Sequence, residues 1–247
     1  MSRKQFGLVG KNISYSFSKN YFTERFQKDN TLDCTYENFD IQDIADFPKI
    51  IKNNHNLIGL NVTIPYKETV IPFLNGLSET AAKIGAVNVI KITKEGELIG
   101  HNSDSYGFKK ALEPLLQPHH KKALILGTGG ASKAVAFALE ELGISSTFVS
   151  RKASERSINY EQINASTFDD YHIIINSTPL GTSPNTDVFP AIPYEYFTTK
   201  HIAFDLIYNP AETQFLKKAK ANGAIIKNGL EMLVNQAEKA WEIWNEF

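Results

Sequence analysis

The sequence predicts an α/β protein with mostly parallel sheets, divided into two domains. Short apolar runs suited to strands alternate with segments of helical period along the whole chain. In the second half those runs are almost continuously apolar, the mark of strands buried on both faces. At 247 residues the chain is long for one core and comfortable for two.

In the first part, "FGLVG" (6–10), "CTYENF" (34–39) and "LIGLNVTI" (57–64) read as strands. Val62 and Ile64 alternate with polar neighbours, as in a half-buried strand, and Pro65 ends the ladder because it has no N–H to donate. Between these strands, "KNYFTERFQKD" and "IQDIADFPKIIKNN" carry helix-spaced positions such as Tyr21, Phe22, Arg25 and Phe26. "AVNVIKI" and "ELIGHN", joined by "TKEGE", form a hairpin with Gly96 in its turn. A break at "PLLQPHHKK" (114–122) opens the second part, whose strands are "ALILG" (123–127), "STFVS" (146–150), "HIIIN" (172–176), "HIAFD" (201–205) and "AIIKN" (224–228). The closing stretch "GLEMLVNQAEKAWEIWNEF" is amphipathic, with Leu230, Leu233, Val234, Ala237, Trp241 and Trp244 on one side. This helix is expected to pack back onto the first domain and make it discontinuous.

Composition excludes several classes of function. Basic and acidic residues nearly balance, 26 against 27, and the basic ones are scattered, so nucleic acid and anionic membrane surfaces are not expected partners. No apolar stretch approaches the roughly 20 residues of a membrane span, and "MSRKQFGLVG" turns charged and glycyl too soon for a signal peptide. With Cys34 as its only cysteine the chain forms no internal disulfide, and a reducing cytoplasm is the expected compartment. The six histidines show no metal-ligand spacing, so no metal site is predicted.

"ALILGTGGASKAVAFALEELG" is a strand, a glycine turn and a helix. Gly127 permits the tight turn, Gly129 lets backbone approach a pyrophosphate, and the N–H groups that open the helix face the anion. Ser132 stands where the third glycine of the dinucleotide fingerprint belongs; a small residue there still allows close helix–sheet packing. At the end of the next strand an NAD-binding protein carries a carboxylate for the ribose; here the chain reads Ser150, Arg151, Lys152. A guanidinium grips a 2′-phosphate with paired hydrogen bonds, so Arg151 favours NADP over NAD, unless it is an ordinary surface arginine in a turn.

"NVTIPYK" delivers Lys67 just past a strand end, and "IGHNSDSYGF" places Asp104 after another, near the apparent domain junction. Converging on a cleft, the two would keep Lys67 protonated until a substrate oxygen takes its proton. Spacing alone does not separate that arrangement from two solvated charges.

Taken together these segments resemble the shikimate dehydrogenase family. "SYSFS", with Ser16 and Ser18, is similar to its pair of N-terminal serines; "NVTIPYK", "GAVNV", "NSDSYG", "GTGGASKA", "NSTPLG" (176–181), "DLIYNPAETQFL" (205–216) and "GLEMLVNQA" (229–237) match further segments in order. The resemblance implies reduction of 3-dehydroshikimate to shikimate with NADPH, a step toward chorismate and the aromatic amino acids. It implies a smaller α/β substrate domain, 1–105 plus 229–247, a Rossmann-like NADP-binding domain, 106–228, and a cleft between them. Lys67 and Asp104 correspond to the catalytic pair. Ser16 and Ser18 fall where hydroxyls hold the substrate carboxylate, Thr63, Asn88, Asp104 and Gln236 where side chains bind ring hydroxyls, and Tyr208 lies by the same pocket. Gly127, Gly129, Gly130, Ala131, Arg151, Thr178, Leu180 and Gly229 map to the cofactor side. A monomer or homodimer is expected.

The chain departs from the family pattern in places. Tyr15 replaces a histidine, Lys19 a proline, Val89 and Ser103 threonines, and Ser150 and Lys152 an asparagine and a threonine beside the arginine. A second basic residue is displaced by one, to Arg156, so the last group bears on cofactor preference. The readings in competition are a quinate or broad quinate/shikimate dehydrogenase, a regulator that binds cofactor and ring acid without turnover, and a folate-pathway dehydrogenase on a similar plan.

Overall fold

The computed structural model describes residues 3–14, 16–29, 31, 33–154 and 157–246; Tyr15 and Arg156 therefore lie outside the described residues. The chain divides into two compact units, Met1–Ser103 with Ala237–Phe247, and Asp104–Gln236.

The first unit is built on a mixed six-stranded sheet. Its strands are β1 (Lys4–Gly10), β2 (Cys34–Asp40), β3 (Leu57–Val62), β4 (Gly76–Leu77), β5 (Val89–Ile92) and β6 (Leu98–His101), in the spatial order β2-β1-β3-β5-β6-β4. β1 pairs in parallel with β2 and β3, whereas β5 runs antiparallel to β3 and β6. The expected hairpin is β5–β6, and Gly96 takes a φ of +86° in its turn. Helices α1 (Phe17–Lys28), α2 (Phe47–Asn53) and α3 (Glu79–Ile84) complete the N-terminal segment.

Successive residues of a strand face opposite sides of the sheet, and the core divides accordingly. On one face Val9, Leu60, Val62 and Ile90 pack with Phe47, Ile50 and Tyr66. On the other, Phe6, Leu8 and Val89 pack with Phe22 and Phe26 of α1, and with Ala237, Ala240, Ile243 and Trp244. The last four lie on α8 (Leu230–Asn245), the C-terminal helix.

Three expectations need correction. β3 ends at Val62, and Ile64 is 74% exposed, so the alternation read through residue 64 stops two residues early. Asn88 precedes β5 rather than lying within it. The buried stripe of α8 is Met232, Gln236, Ala237, Ala240, Ile243 and Trp244, while Leu230 is 45% exposed. Of the six positions predicted to share one face, Ala237 and Trp244 are buried; Met232, Gln236, Ala240 and Ile243 complete the buried stripe and lie outside the predicted face.

The second unit carries α4 (Asp104–Leu112), β7 (Lys122–Leu126), α5 (Gly130–Glu141), β8 (Ser145–Ser150), β9 (Ser157–Asn159), α6 (Ala165–Asp170), β10 (Ile173–Asn176), β11 (Ile202–Asp205), α7 (Gln214–Ala221) and β12 (Ile225–Lys227). All strand pairs are parallel, in the order β12-β11-β10-β7-β8-β9. This is the doubly wound dinucleotide-binding order, with its switch point between β7 and β10. Both faces are buried: Ala123, Ile125, Ile173 and Ile175 pack with Phe108, Val135 and Leu139 on one side. Leu124, Leu126 and Ile174 pack with Phe168, Phe215 and Leu216 on the other. Among the described residues, no helix is long and apolar enough to cross a membrane.

At the amino ends of β7, β10 and β11 four histidines gather. The His119 ring lies 4.1 Å from that of His120 and 5.2 Å from that of His172, which lies 5.3 Å from His201. His120 Nδ1 accepts the Gln117 N–H at 2.9 Å and His201 Nδ1 the Thr198 N–H at 3.0 Å. Each ring has its Nε2 against a backbone carbonyl, of Lys200 and Phe168 respectively, so both are satisfied only as neutral imidazoles. Burial, then the neighbouring rings, lowers the pKa of His120 and His172; Lys200 adds to this at His172. At His201 burial also lowers it, against the Phe168 and Thr198 backbone bonds and Asp169.

A group held below its unfolded value is neutral in the folded chain, so its contribution is complete above the ordinary histidine range near pH 6.5. It is lost as pH falls through that range, because the unfolded chain then binds more protons. From this cluster alone the thermal unfolding midpoint is expected to fall by about 3–6 °C between pH 7.5 and 5.5, read as the difference between the wild-type slope and that of a variant lacking His120 and His201. His120→Gln with His201→Gln should flatten that dependence; an unchanged slope in the double variant would remove the cluster from this role.

Candidate active site

In the first unit Thr63 and Lys67 follow the carboxyl end of β3, Ser16 and Ser18 open α1, and Asn88 stands just before β5. β1 leads into the turn before α1, which Asp40 fastens by accepting the N–H groups of Asn12 at 2.9 Å and Ile13 at 3.1 Å. Asn38 adds a bond to the Ile13 carbonyl at 3.1 Å. Ser16 caps α1: its hydroxyl oxygen accepts the Ser18 N–H at 3.2 Å. Ser18 itself is buried.

Past β3, Thr63 extends the pairing by donating its N–H to the Val9 carbonyl at 2.9 Å. Lys67 is half-buried, and its backbone is clamped on both sides. Tyr66 is buried and donates its hydroxyl to the Ile41 carbonyl at 2.8 Å, while the Lys67 carbonyl accepts the Val87 N–H at 2.7 Å. A long flexible side chain thus springs from a fixed root, an arrangement suited to delivering a proton at one place.

Asn88 is fully enclosed. Its amide oxygen accepts the Ser103 N–H at 2.7 Å and its amide nitrogen donates to the Ser103 hydroxyl at 3.0 Å. The pairing orients Asn88 and fixes the backbone immediately before Asp104.

In the second unit Asp104 opens α4 and is buried. One turn on, Gly107 lies so close to α8 that a Cβ there would come within 2.5 Å of the Met232 carbonyl and 3.0 Å of Gln236 Cβ. That approach brings the Asp104 turn of α4 and the buried Gln236 together. Gln236 donates to the Leu233 carbonyl at 3.0 Å.

The glycine turn has the form a pyrophosphate needs. Gly127 adopts φ +110°, a conformation side-chain-bearing residues rarely take, and a Cβ there would lie 3.0 Å from Ser177 Oγ. Gly129 faces open space, and no side chain caps the start of α5, where Gly130 and Ala131 present their N–H groups. Ser132, in place of the third glycine, is buried and donates its hydroxyl to the Gly129 carbonyl at 2.6 Å. The residues present therefore fit a dinucleotide. Arg151 is exposed at the carboxyl end of β8.

Thr178 and Leu180 sit on a loop anchored from beneath. Thr178 donates its hydroxyl to the Asn176 amide oxygen at 2.6 Å, and the Asn176 amide donates to Asp205 at 3.0 Å. Asp205 also accepts the Thr213 hydroxyl at 2.5 Å and the Ile207 N–H at 3.0 Å. Burial pushes this carboxyl up to about 6, against the pull of those three donors. Tyr208 follows on the β11 loop, where Gly229 donates its N–H to the Ile207 carbonyl at 3.0 Å. Among the described residues no group of three or more His, Cys, Asp or Glu is placed to hold a metal ion.

Comparison with known proteins matches residues 8–90 to the Shikimate dehydrogenase substrate binding domain. A shikimate dehydrogenase (NADP(+)) of Methanosphaera stadtmanae is 37% identical, over 96% of this chain and 90% of its own. One from Clostridium botulinum is 38% identical over 96% and 95%. The chain belongs to the shikimate dehydrogenase family. The crystal structure of the Thermus thermophilus shikimate 5-dehydrogenase, a complex with NADP(H) and shikimate, is 31% identical. It aligns with a TM-score of 0.86 over 98% of this chain and 93% of its own.

Within this member of the shikimate dehydrogenase family, sequence reasoning missed the residues that hold the site. Ser103 and Asn61 lie inside quoted segments but attracted no role of their own. Asp205 opens "DLIYNPAETQFL", and its burial was the only signal, invisible in the sequence. Asp205→Ala leaves the Thr213 hydroxyl, the Ile207 N–H and the Asn176 amide without their acceptor. Urea unfolding is expected to show a loss of about 2–4 kcal/mol; a loss near zero would mean solvent or other groups replace the carboxylate at no cost.

Proposed function

We propose that the chain catalyses the reversible, NADPH-dependent reduction of 3-dehydroshikimate to shikimate in the cytoplasm. The observation that carries this reading is similarity along nearly the whole chain to relatives named shikimate dehydrogenase (NADP(+)). We assign substrate binding to residues 1–105 with 229–247 and cofactor binding to 106–228. NADPH, when bound, supplies the hydride. Lys67 gives a proton to the carbonyl oxygen as it becomes an alkoxide, and its ammonium stabilises the charge that develops there. Asp104 accepts a hydrogen bond from a ring hydroxyl and favours the charged form of Lys67.

Ser16 and Ser18 bind the carboxylate; Thr63, Asn88 and Gln236 bind hydroxyls, with Tyr208 beside them. A small polyhydroxy acid calls for such a ring of neutral donors and acceptors around one cation. On the cofactor side the turn at Gly127, Gly129, Gly130 and Ala131 receives the pyrophosphate, and Arg151 the 2′-phosphate. Thr178, Leu180 and Gly229 border the ribose and nicotinamide. The fixed backbone around Lys67 and the enclosed Asn88–Ser103 pair support these roles, since catalytic groups work best when held in place before substrate arrives.

Two measurements test the assignment. Lys67→Ala is expected to lower kcat by roughly 10²- to 10⁴-fold, followed through NADPH absorbance with 3-dehydroshikimate; near-normal turnover would falsify its role. Arg151→Ala should weaken NADPH binding about tenfold or more and leave NADH binding nearly unchanged. Equal losses for both cofactors would take the 2′-phosphate away from Arg151.

A further inference from the structure

Tyr36 belongs to none of the short motifs that mark the family, yet it sits at the centre of a buried polar chain within the first unit. Its ring stacks on Phe22 of α1, centroids 4.8 Å apart and planes 12° from parallel. Phe22 lies one helical turn after Ser18, on the same side of α1, and both are buried. The Tyr36 hydroxyl donates to the Asn61 amide oxygen at 2.7 Å, and the Asn61 amide nitrogen donates to the Asn88 carbonyl at 3.3 Å. The same Asn88 carbonyl accepts the Val62 N–H at 2.9 Å, and the Asn88 side chain is held by Ser103. Burial raises the Tyr36 phenol well above the ordinary tyrosine range, while the nearby Ser18 hydroxyl acts in the opposite sense. The phenol therefore stays a neutral donor under all working conditions.

The chain runs from the α1 turn that carries Ser18, through β2 and β3, to the residue before β5. Every link is enclosed: Tyr36 is 3% exposed, Asn61 5% and Asn88 3%. Buried hydrogen bonds of this kind resist lengthening, because a broken link leaves a desolvated polar atom without a partner. We infer that Tyr36 and Asn61 are positioning residues, a buried strut that sets the spacing between Ser18 and Asn88 and thereby selects among ring acids. The inference rests on the reading above, in which Ser16 and Ser18 take the carboxylate and Asn88 a ring hydroxyl. An acid whose carboxylate and hydroxyl match that spacing binds both ends at once; one with an added hydroxyl on the ring does not fit as closely.

Tyr36→Phe removes the hydroxyl and leaves the ring on Phe22. Asn61→Ser, whose side chain is too short to reach both partners, breaks the strut from the other side and serves as a second variant should the first fold poorly. Each is assayed for the KM of shikimate and of NADP, and for the ratio of kcat/KM between shikimate and quinate. Ser16→Ala with Ser18→Ala is the control. The shikimate KM should rise about 3- to 10-fold in either variant, with the NADP KM steady and the ratio shifted toward quinate. The double variant Tyr36→Phe with Asn61→Ser should be no worse than the poorer single one, as for two ends of one link. A shikimate KM unmoved by the strut variants but raised by the serine control overturns the strut and leaves the pocket reading intact. If the serine control also leaves it unmoved, the pocket reading fails and the strut with it. A matching rise in the NADP KM would mean general loosening, which likewise overturns the inference.

Discussion

The indole of Trp244 lies against Gly59 in the middle of β3, and the first unit is organised around that contact. A Cβ at residue 59 would come within 2.2 Å of the ring, so the strand yields its side chain to the helix. The indole N–H donates to the Ile90 carbonyl on β5 at 3.1 Å, satisfying a polar group that burial would otherwise leave costly. β3 lies between β1 and β5 and carries Asn61, then Thr63 and Lys67 beyond its carboxyl end. Residues from the far end of the chain therefore hold the strand on which the proposed chemistry depends. Phe6, Phe22 and Tyr36 pack their rings against the same indole, and Phe26 packs against Phe6, Phe22 and Trp241 beside it.

A common plan governs the polar groups of both units. Each has a buried amide that accepts and donates beneath a turn: Asn88 with Ser103 in the first, and in the second Asn176, which accepts from Thr178 and donates to Asp205. Such groups contribute modestly to net stability when fully paired, because folding only exchanges water for protein partners. Their larger effect is on uniqueness, since a displaced loop would strand a desolvated donor or acceptor. Groups assigned to bind charge are treated differently. Lys67 is half-buried and Arg151 exposed, so both keep part of their contact with solvent.

Much of the fold was legible because its periods are clean. The central strands of the second unit, β7, β10 and β11, are nearly continuous apolar runs, and the glycine turn falls between one of them and a helix, so sequence and structure agree there closely. Two short edge strands were not legible: β4 is only Gly-Leu and β9 is Ser-Ile-Asn, neither of them an apolar run like the equally short β12. Ile64 imitated the alternation of β3 although the chain turns at Pro65 and leaves it in solvent. On α8 Ala237 and Trp244 were legible, but Ala240 is too small to announce a buried position, and the stripe continues through it to Ile243.

The site divides along the same line. Residues proposed to meet a ligand sit in recognisable segments because ligand chemistry restricts which side chains serve. Residues that hold those side chains in place are selected by a neighbour distant in sequence, and nothing local marks them. The glycines show this most sharply. Gly96 and Gly127 have positive φ, and a turn explains them from sequence alone. Gly59, Gly107 and Gly229 do not; each is required because Trp244, Met232 or Leu206 occupies the place of its missing side chain. A glycine of the second kind can be read only once distant segments have been brought together. That is why the motifs named the chemistry before the structure showed what steadies it.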